Sequence, residues 1–181
     1  MSTMKFKFIV AIVLLSSACL PAQQFSAKPN WDSLRFLLGK WVGEGGGDAG
    51  QGTGSFLFEP DLQGRVLVRR NHAEYPASKE RPAYVHDDLM VLFIDSATGR
   101  IRATFYDNEG HVINYGVELS EDGRKVVFLS DPATGVPRYR LIYVRTEPDR
   151  LKISFEVASP SKPDEFRKFI EATARKMEDS K

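Results

Sequence analysis

The stretch RYRLIYVRTEPDRLKISFEVA, residues 138–158, decides the fold. Apolar side chains alternate with polar ones through Tyr139, Leu141 and Tyr143, and again through Leu151, Ile153, Phe155 and Val157. Between the two runs Glu147-Pro148-Asp149 presets a turn. A period of two on both sides of a turn predicts a β-hairpin. Folded symmetrically about Pro148, it sets Arg140 opposite Glu156, Leu141 opposite Phe155 and Tyr143 opposite Ile153. One face then carries Tyr139, Leu141, Tyr143, Leu151, Ile153, Phe155 and Val157, and the other Arg138, Arg140, Lys152, Ser154 and Glu156. The apolar face points inward. Arg140 with Glu156 becomes an outer cross-strand pair of about 0.2–1 kcal/mol, not a site.

The same pattern recurs on either side. Turn chemistry stands at Pro60-Asp61-Leu62-Gln63-Gly64, Asp95-Ser96-Ala97-Thr98-Gly99, Asp107-Asn108-Glu109-Gly110 and Ser120-Glu121-Asp122-Gly123, each supplying a residue that presets a turn or accepts positive φ. Strands are predicted near 40–46, 53–59, 64–74, 87–95, 100–107, 111–119, 124–130, 137–146 and 150–158. A meander of this length has two open edges, and closing into a barrel removes them. The last segment reads two ways. Phe166, Phe169, Ile170, Thr173 and Met177 have helical spacing, yet a closing strand near 168–176 satisfies the edges, and closure decides for the strand. Ahead of the barrel, Asn30 caps a short helix with Trp31, Leu34, Leu37 and Leu38 on one face, stopped by Gly39. The expected fold is therefore all-β: an antiparallel up-and-down barrel of about ten strands with a short N-terminal helix.

The hairpin about Asp107 to Gly110 is less clean. Its faces read as Arg102, Thr104, Tyr106, His111, Ile113 and Tyr115 on one side, and Ile101, Ala103, Phe105, Val112, Asn114 and Gly116 on the other. Neither is wholly apolar, which a barrel holding a ligand tolerates better than one with a solid core.

The chain begins like an export signal: Lys5 and Lys7, the apolar run Phe8 to Leu15, then the small residues Ser16, Ser17 and Ala18. That run falls short of the roughly 20 apolar residues of a membrane-spanning helix. Residues 1–22 are read as a signal peptide, 23–30 as a linker and 31–177 as the single barrel domain. Cys19, the only cysteine, stands at the cleavage region. A cut before it leaves a cysteine that can carry lipid, and a cut after Ala22 leaves a mature chain without cysteine. Localisation is expected to be periplasmic or secreted, with a lipid anchor through Cys19 as the variant and as the sole membrane attachment. Without Lys5 and Lys7 the 25 basic residues become 23 against 24 acidic ones, and the only arginine doublet is Arg69-Arg70, so no nucleic-acid partner is expected.

Catalytic signatures fall away one by one. Gly45-Gly46-Gly47-Asp48-Ala49-Gly50 has the spacing of a dinucleotide fingerprint, but a strand follows it where a helix N-terminus is needed. No Gly-x-Ser-x-Gly elbow occurs. The three histidines, His72, His86 and His111, have no spacing that forces them together with Glu74, Asp87, Asp88 or Asp107. His86-Asp87-Asp88 alternates faces along a loop-to-strand run, so its three side chains do not share one ion, and no metal is expected. Asp107 and Glu109 are turn residues serving the backbone. No catalytic residue is assigned, and whether the protein is an enzyme stays open. His111 with Tyr106 and Tyr115 is the one polar-aromatic constellation worth testing.

Phe36-Leu37-Leu38-Gly39-Lys40-Trp41-Val42-Gly43-Glu44-Gly45 resembles the helix, glycine, tryptophan and Gly-Glu-Gly entry of nitrobindin-like barrels. Asp107-Asn108-Glu109-Gly110-His111-Val112-Ile113 and Phe155-Glu156-Val157-Ala158 are similar to segments of a related group of bacterial barrels. The resemblance runs from about Trp31 to Lys176. It implies a ten-stranded, fatty-acid-binding-protein-like barrel of the calycin type. Nitrobindins bind haem through a histidine near the C-terminal end. No histidine follows His111 here, so that ligand carries over to no position and no cofactor is expected.

The first reading is thus an exported barrel binding a small, apolar or amphipathic molecule, with Tyr106, His111, Tyr115, Tyr139, Tyr143 and Phe155 as its site. The alternatives are a haem-binding or enzymatic barrel using His111, and a solid barrel acting as an envelope interaction module.

Overall fold

A computed structural model of the protein describes residues 29–44, 52–79 and 82–178. The segment read as an export signal, Cys19 and the glycine run at 45–50 lie outside the described residues. Ten strands follow in order: β1 (Gly39–Gly43), β2 (Thr53–Asp61), β3 (Val66–Tyr75), β4 (Tyr84–Ile94), β5 (Ile101–Asp107), β6 (Val112–Leu119), β7 (Lys125–Ser130), β8 (Arg138–Glu147), β9 (Arg150–Ala158) and β10 (Arg167–Lys176). Each pairs antiparallel with its sequence neighbours, and β1 pairs with β10 to close the barrel.

The hairpin that led the reading has the expected register, with Arg140 opposite Glu156 and Tyr143 opposite Ile153. Arg140 Nε donates to Glu156 Oε2 at 2.6 Å on the outer wall. The closing strand also forms, despite its helical spacing. A bulge between Lys168 and Ile170 absorbs one residue, after which Ile170, Ala172 and Ala174 face Phe155, Ile153 and Leu151. At the seam Trp41 pairs with Lys176 and Gly43 with Ala174, and the Glu44 carboxylate spans Arg150 and Arg175 across it.

One element differs from the expectation. The N-terminal helix is a 3-10 turn, Asp32–Leu37, rather than an α-helix. Three residues per turn stack Trp31, Leu34 and Leu37 directly on one face, where all three are buried, and that burial holds a 3-10 run longer than the usual three or four residues. Asn30 does serve the turn, its Oδ1 accepting from the Asp32 N–H at 2.8 Å. The turn is pinned to one barrel end by Trp31 Nε1 donating to the Gly64 carbonyl (3.0 Å) and by Trp41 Nε1 donating to the Leu37 carbonyl (2.8 Å). Gly39 at φ +103° makes the exit into β1, and a Cβ there would lie 2.9 Å from Lys176 Cε.

Aromatic rings fill the middle of the barrel. Trp41 stacks on Phe56 at 6.2 Å, Phe56 and Phe58 meet Tyr143 edge-on at 5.8 and 5.7 Å, and Tyr143 continues through Phe128 to Tyr115. Such contacts add about 0.5–1.5 kcal/mol each beyond the area they bury.

On the outer wall Glu171 lies between Lys152 and Lys168, and hydrogen bonds from Lys152 first and Lys168 next draw its carboxyl down to about 2. A carboxyl lowered on folding stabilises the fold above its ordinary value of 4.5, and that contribution is lost as pH falls from there towards 2. An NMR titration should place the Glu171 midpoint near 2, and Lys152→Met with Lys168→Met should return it towards 4.5. An unmoved midpoint in the double variant would refute the assignment.

Candidate functional site

The barrel end away from the 3-10 turn carries the chemistry. Its inner wall is divided. Polar groups come from β3, β4 and β5, because Asn71 pairs with Asp88, Ala73 with His86, and Asp88 with Asp107, which sets these positions on the inner face. Aromatic groups come from β8, β9 and β10: Tyr139 stacks on Phe155 at 5.8 Å and 9°, and Phe169, at the bulge, meets Phe155 edge-on at 6.3 Å. Tyr139 and Phe155 are half-buried, whereas Phe169 is 61% exposed.

The floor beneath is an ion pair. Arg69 and Asp88 are both buried and hydrogen-bonded to each other, with the guanidinium 5.4 Å over the Phe56 ring. Burial opposes the Arg69 charge. The Asp88 carboxylate, helped by the Tyr143 and Tyr115 hydroxyls, outweighs it and holds the guanidinium above its ordinary range. Arg69 Nε and the Tyr143 hydroxyl are buried without a hydrogen-bond partner. Burial also pushes the Tyr143 hydroxyl up to about 12 and that of Tyr115 higher still.

Above the floor His86 is held at both ring nitrogens. Nε2 lies 3.4 Å from Asp88 Oδ2, and Nδ1 lies 3.0 Å from Glu109 Oε1. The hydrogen bond to Asp88 is the main reason the imidazole is raised to about 9; burial opposes it and Glu109 adds to it. Asp107 lies beside them: ligand atoms of His86, Asp107 and Glu109 all fall within 4.8 Å of one another. Asp107 Oδ1 accepts from the N–H groups of Glu109 (3.0 Å) and His111 (2.8 Å), and Oδ2 meets His111 Nδ1 at 2.8 Å. Burial works against the Asp107 charge, and the His111 N–H and ring overcome it, so the carboxyl sits below its ordinary value. A shallow surface hollow bounded by Arg70, Asp87, Leu89, Tyr106 and Asp107 runs alongside.

The residues expected to form one site are therefore divided. Tyr139 and Phe155 come together on the inner wall. Tyr115 and Tyr143 are inner but fully buried, as parts of the packed middle. Tyr106 faces outward and is 44% exposed, and His111 is an exposed turn residue bound to Asp107. The expectation that Tyr106, His111 and Tyr115 share a face is overturned. Phe105 pairs with Ile113, so the loop holds one residue more than a two-residue turn and every side chain of β6 changes face relative to β5.

The polar cluster was missed by sequence reasoning. β4 starts at Tyr84, so His86 lies within the strand, and His86 and Asp88 share the inner face while Asp87 turns outward to His72 at 2.7 Å. The available signal was the i, i+2 spacing of His86 and Asp88, together with Asp107, Glu109 and His111 at the next hairpin.

Fold and site together define a closed, ten-stranded antiparallel barrel with a plug at one end and a mixed polar and aromatic mouth at the other. No protein-family model matches the chain, and no curated protein does. Among solved structures it is similar to a de novo designed fluorescence-activating β-barrel, at a TM-score of 0.41 and 11% identity over 81% of this chain and 98% of the designed one. It is also similar to a DUF3598-family protein of unknown function from Nostoc punctiforme, at 0.30 and 9% over 83% of this chain and 100% of that one.

Proposed function

We propose that this chain is an exported, nitrobindin-like barrel that holds a small apolar or amphipathic ligand at the mouth opposite the 3-10 turn. The observation that carries the reading is the aromatic row Tyr139, Phe155 and Phe169, which runs from the half-buried inner wall to an exposed rim. Large exposed aromatic rings joined to a core mark a contact surface more often than isolated apolar residues do. With the middle of the lumen filled, the ligand seat is a shallow cup. Its aromatic wall takes the apolar body of the ligand, and its wall of Asn71 and His86 takes a polar end. Export rests on Lys5, Lys7 and the apolar run after them, and the mass of the chain recovered from its host's envelope fraction reports the cleavage.

The fluorescent probe anilinonaphthalene sulfonate tests the seat. Saturable uptake of one probe per chain is expected, weakened at least about tenfold by Phe155→Ala, a loss of roughly 1.4 kcal/mol or more, and several-fold by Phe169→Ala at the exposed rim. Tyr106→Ala, on the outer wall, should leave uptake unchanged. Uptake that is absent, or indifferent to Phe155 and Phe169, would overturn the reading.

A further inference from the structure

We propose that His86, Asp107 and Glu109 form a binding site for a divalent first-row transition-metal ion at the barrel mouth. Three donors from two neighbouring elements converge here: the imidazole of His86 on β4, and the carboxylates of Asp107 and Glu109 at the end of β5 and in the turn after it. Their ligand atoms already lie within 4.8 Å of one another, close to the spacing that a common ion at about 2.0–2.2 Å from each would impose.

What distinguishes the cluster from a chance group of surface charges is the way each donor is oriented. His86 turns Nδ1 towards Glu109 while Nε2 faces the Asp88 carboxylate, and Asp88 is fixed by the buried Arg69 guanidinium. A carboxylate behind the imidazole of a ligating histidine sets the tautomer and aims the other nitrogen at the metal. Asp107 is held by two backbone N–H groups, which leaves its second oxygen for exchange between His111 and an ion. Charge favours a cation as well. Asp88, Asp107 and Glu109 supply three carboxylates around the site, against the Arg69 guanidinium and the His86 proton that an incoming ion would replace.

One nitrogen and two carboxylate oxygens suit Zn²⁺ and its first-row neighbours better than Ca²⁺ or Mg²⁺, which favour all-oxygen shells. Three protein donors leave a coordination position for water or an anionic group. The site does not rest on the ligand reading. It shares only His86 with that seat, Asp107 and Glu109 lie outside it, and its probe is the metal alone.

The test is calorimetric titration of Zn²⁺ into the full chain after chelator treatment, near neutral pH, with the visible spectrum of bound Co²⁺ as the second readout. One ion per chain is expected. His86→Ala and Glu109→Ala should each weaken binding by roughly tenfold or more and abolish the Co²⁺ bands. Glu109 is half exposed at a turn, so its variant keeps the fold even if His86→Ala loosens the mouth. His72→Ala is the control, because His72 with Glu74 and Asp87 forms a separate cluster on the outer wall. No binding, binding indifferent to His86 and Glu109, or binding lost with His72 would each overturn the proposal.

Discussion

Replacing Asp88 by Ala lowers the unfolding free energy by about 3–5 kcal/mol, the typical cost of leaving one member of a buried ion pair without its partner. Arg69 is only 7% exposed, so water does not readily replace the lost carboxylate. Denaturant unfolding of the single variant against Arg69→Met with Asp88→Leu separates loss of the pair from loss of packing. The double variant should regain most of the stability, because two apolar groups of matching size fill the floor without a desolvation cost. It should not regain Zn²⁺ affinity, since His86 would have lost the carboxylate behind its ring. A single variant within about 1 kcal/mol of the native protein would show that the floor is wetter than its burial indicates.

The second large effect is at Trp41. Trp41→Ala removes a fully buried indole that stacks on Phe56 and donates to the Leu37 carbonyl. Large aromatic truncations of this kind cost about 3–5 kcal/mol, which for a domain of this size lowers the melting temperature by roughly 10 °C. Trp41→Phe keeps a ring but leaves the Leu37 carbonyl without its donor, and about 1–3 kcal/mol should go with it. Thermal unfolding followed by circular dichroism checks both. If Trp41→Phe equalled Trp41→Ala, the hydrogen bond that anchors the 3-10 turn would matter more than the packing.

What was legible in the sequence was whatever local pattern determines. The alternation through Tyr139 to Tyr143 and Leu151 to Val157 fixed both faces of one hairpin, and turn residues placed the strands within a few positions. Edge closure chose correctly between helix and strand for 168–176, because its argument concerns the whole sheet rather than the segment. The face assignment around Asp107 failed on one residue of loop length, a quantity that Asp-Asn-Glu-Gly leaves open. The polar cluster was illegible for a related reason. His86 meets Asp107 and Glu109 through the register of β4 against β5, and that register is set by the packing of Met90 against Phe105 and Leu92 against Ala103 rather than by any spacing between the polar residues.

The seam has a consequence for the order of events in folding. Every other strand pair joins sequence neighbours, but the seam joins residues such as Glu44 and Arg175, 131 positions apart. Pairings that distant carry the largest loop-closure entropy and form slowly. Since β10 runs to Lys176, the ring cannot shut until that last strand has been synthesised. Until then β1 and β9 both present bare edges, a state vulnerable to aggregation. It is equally a state in which the chain remains unlocked, so the same late-closing joint that slows folding keeps the polypeptide extended and threadable for longest.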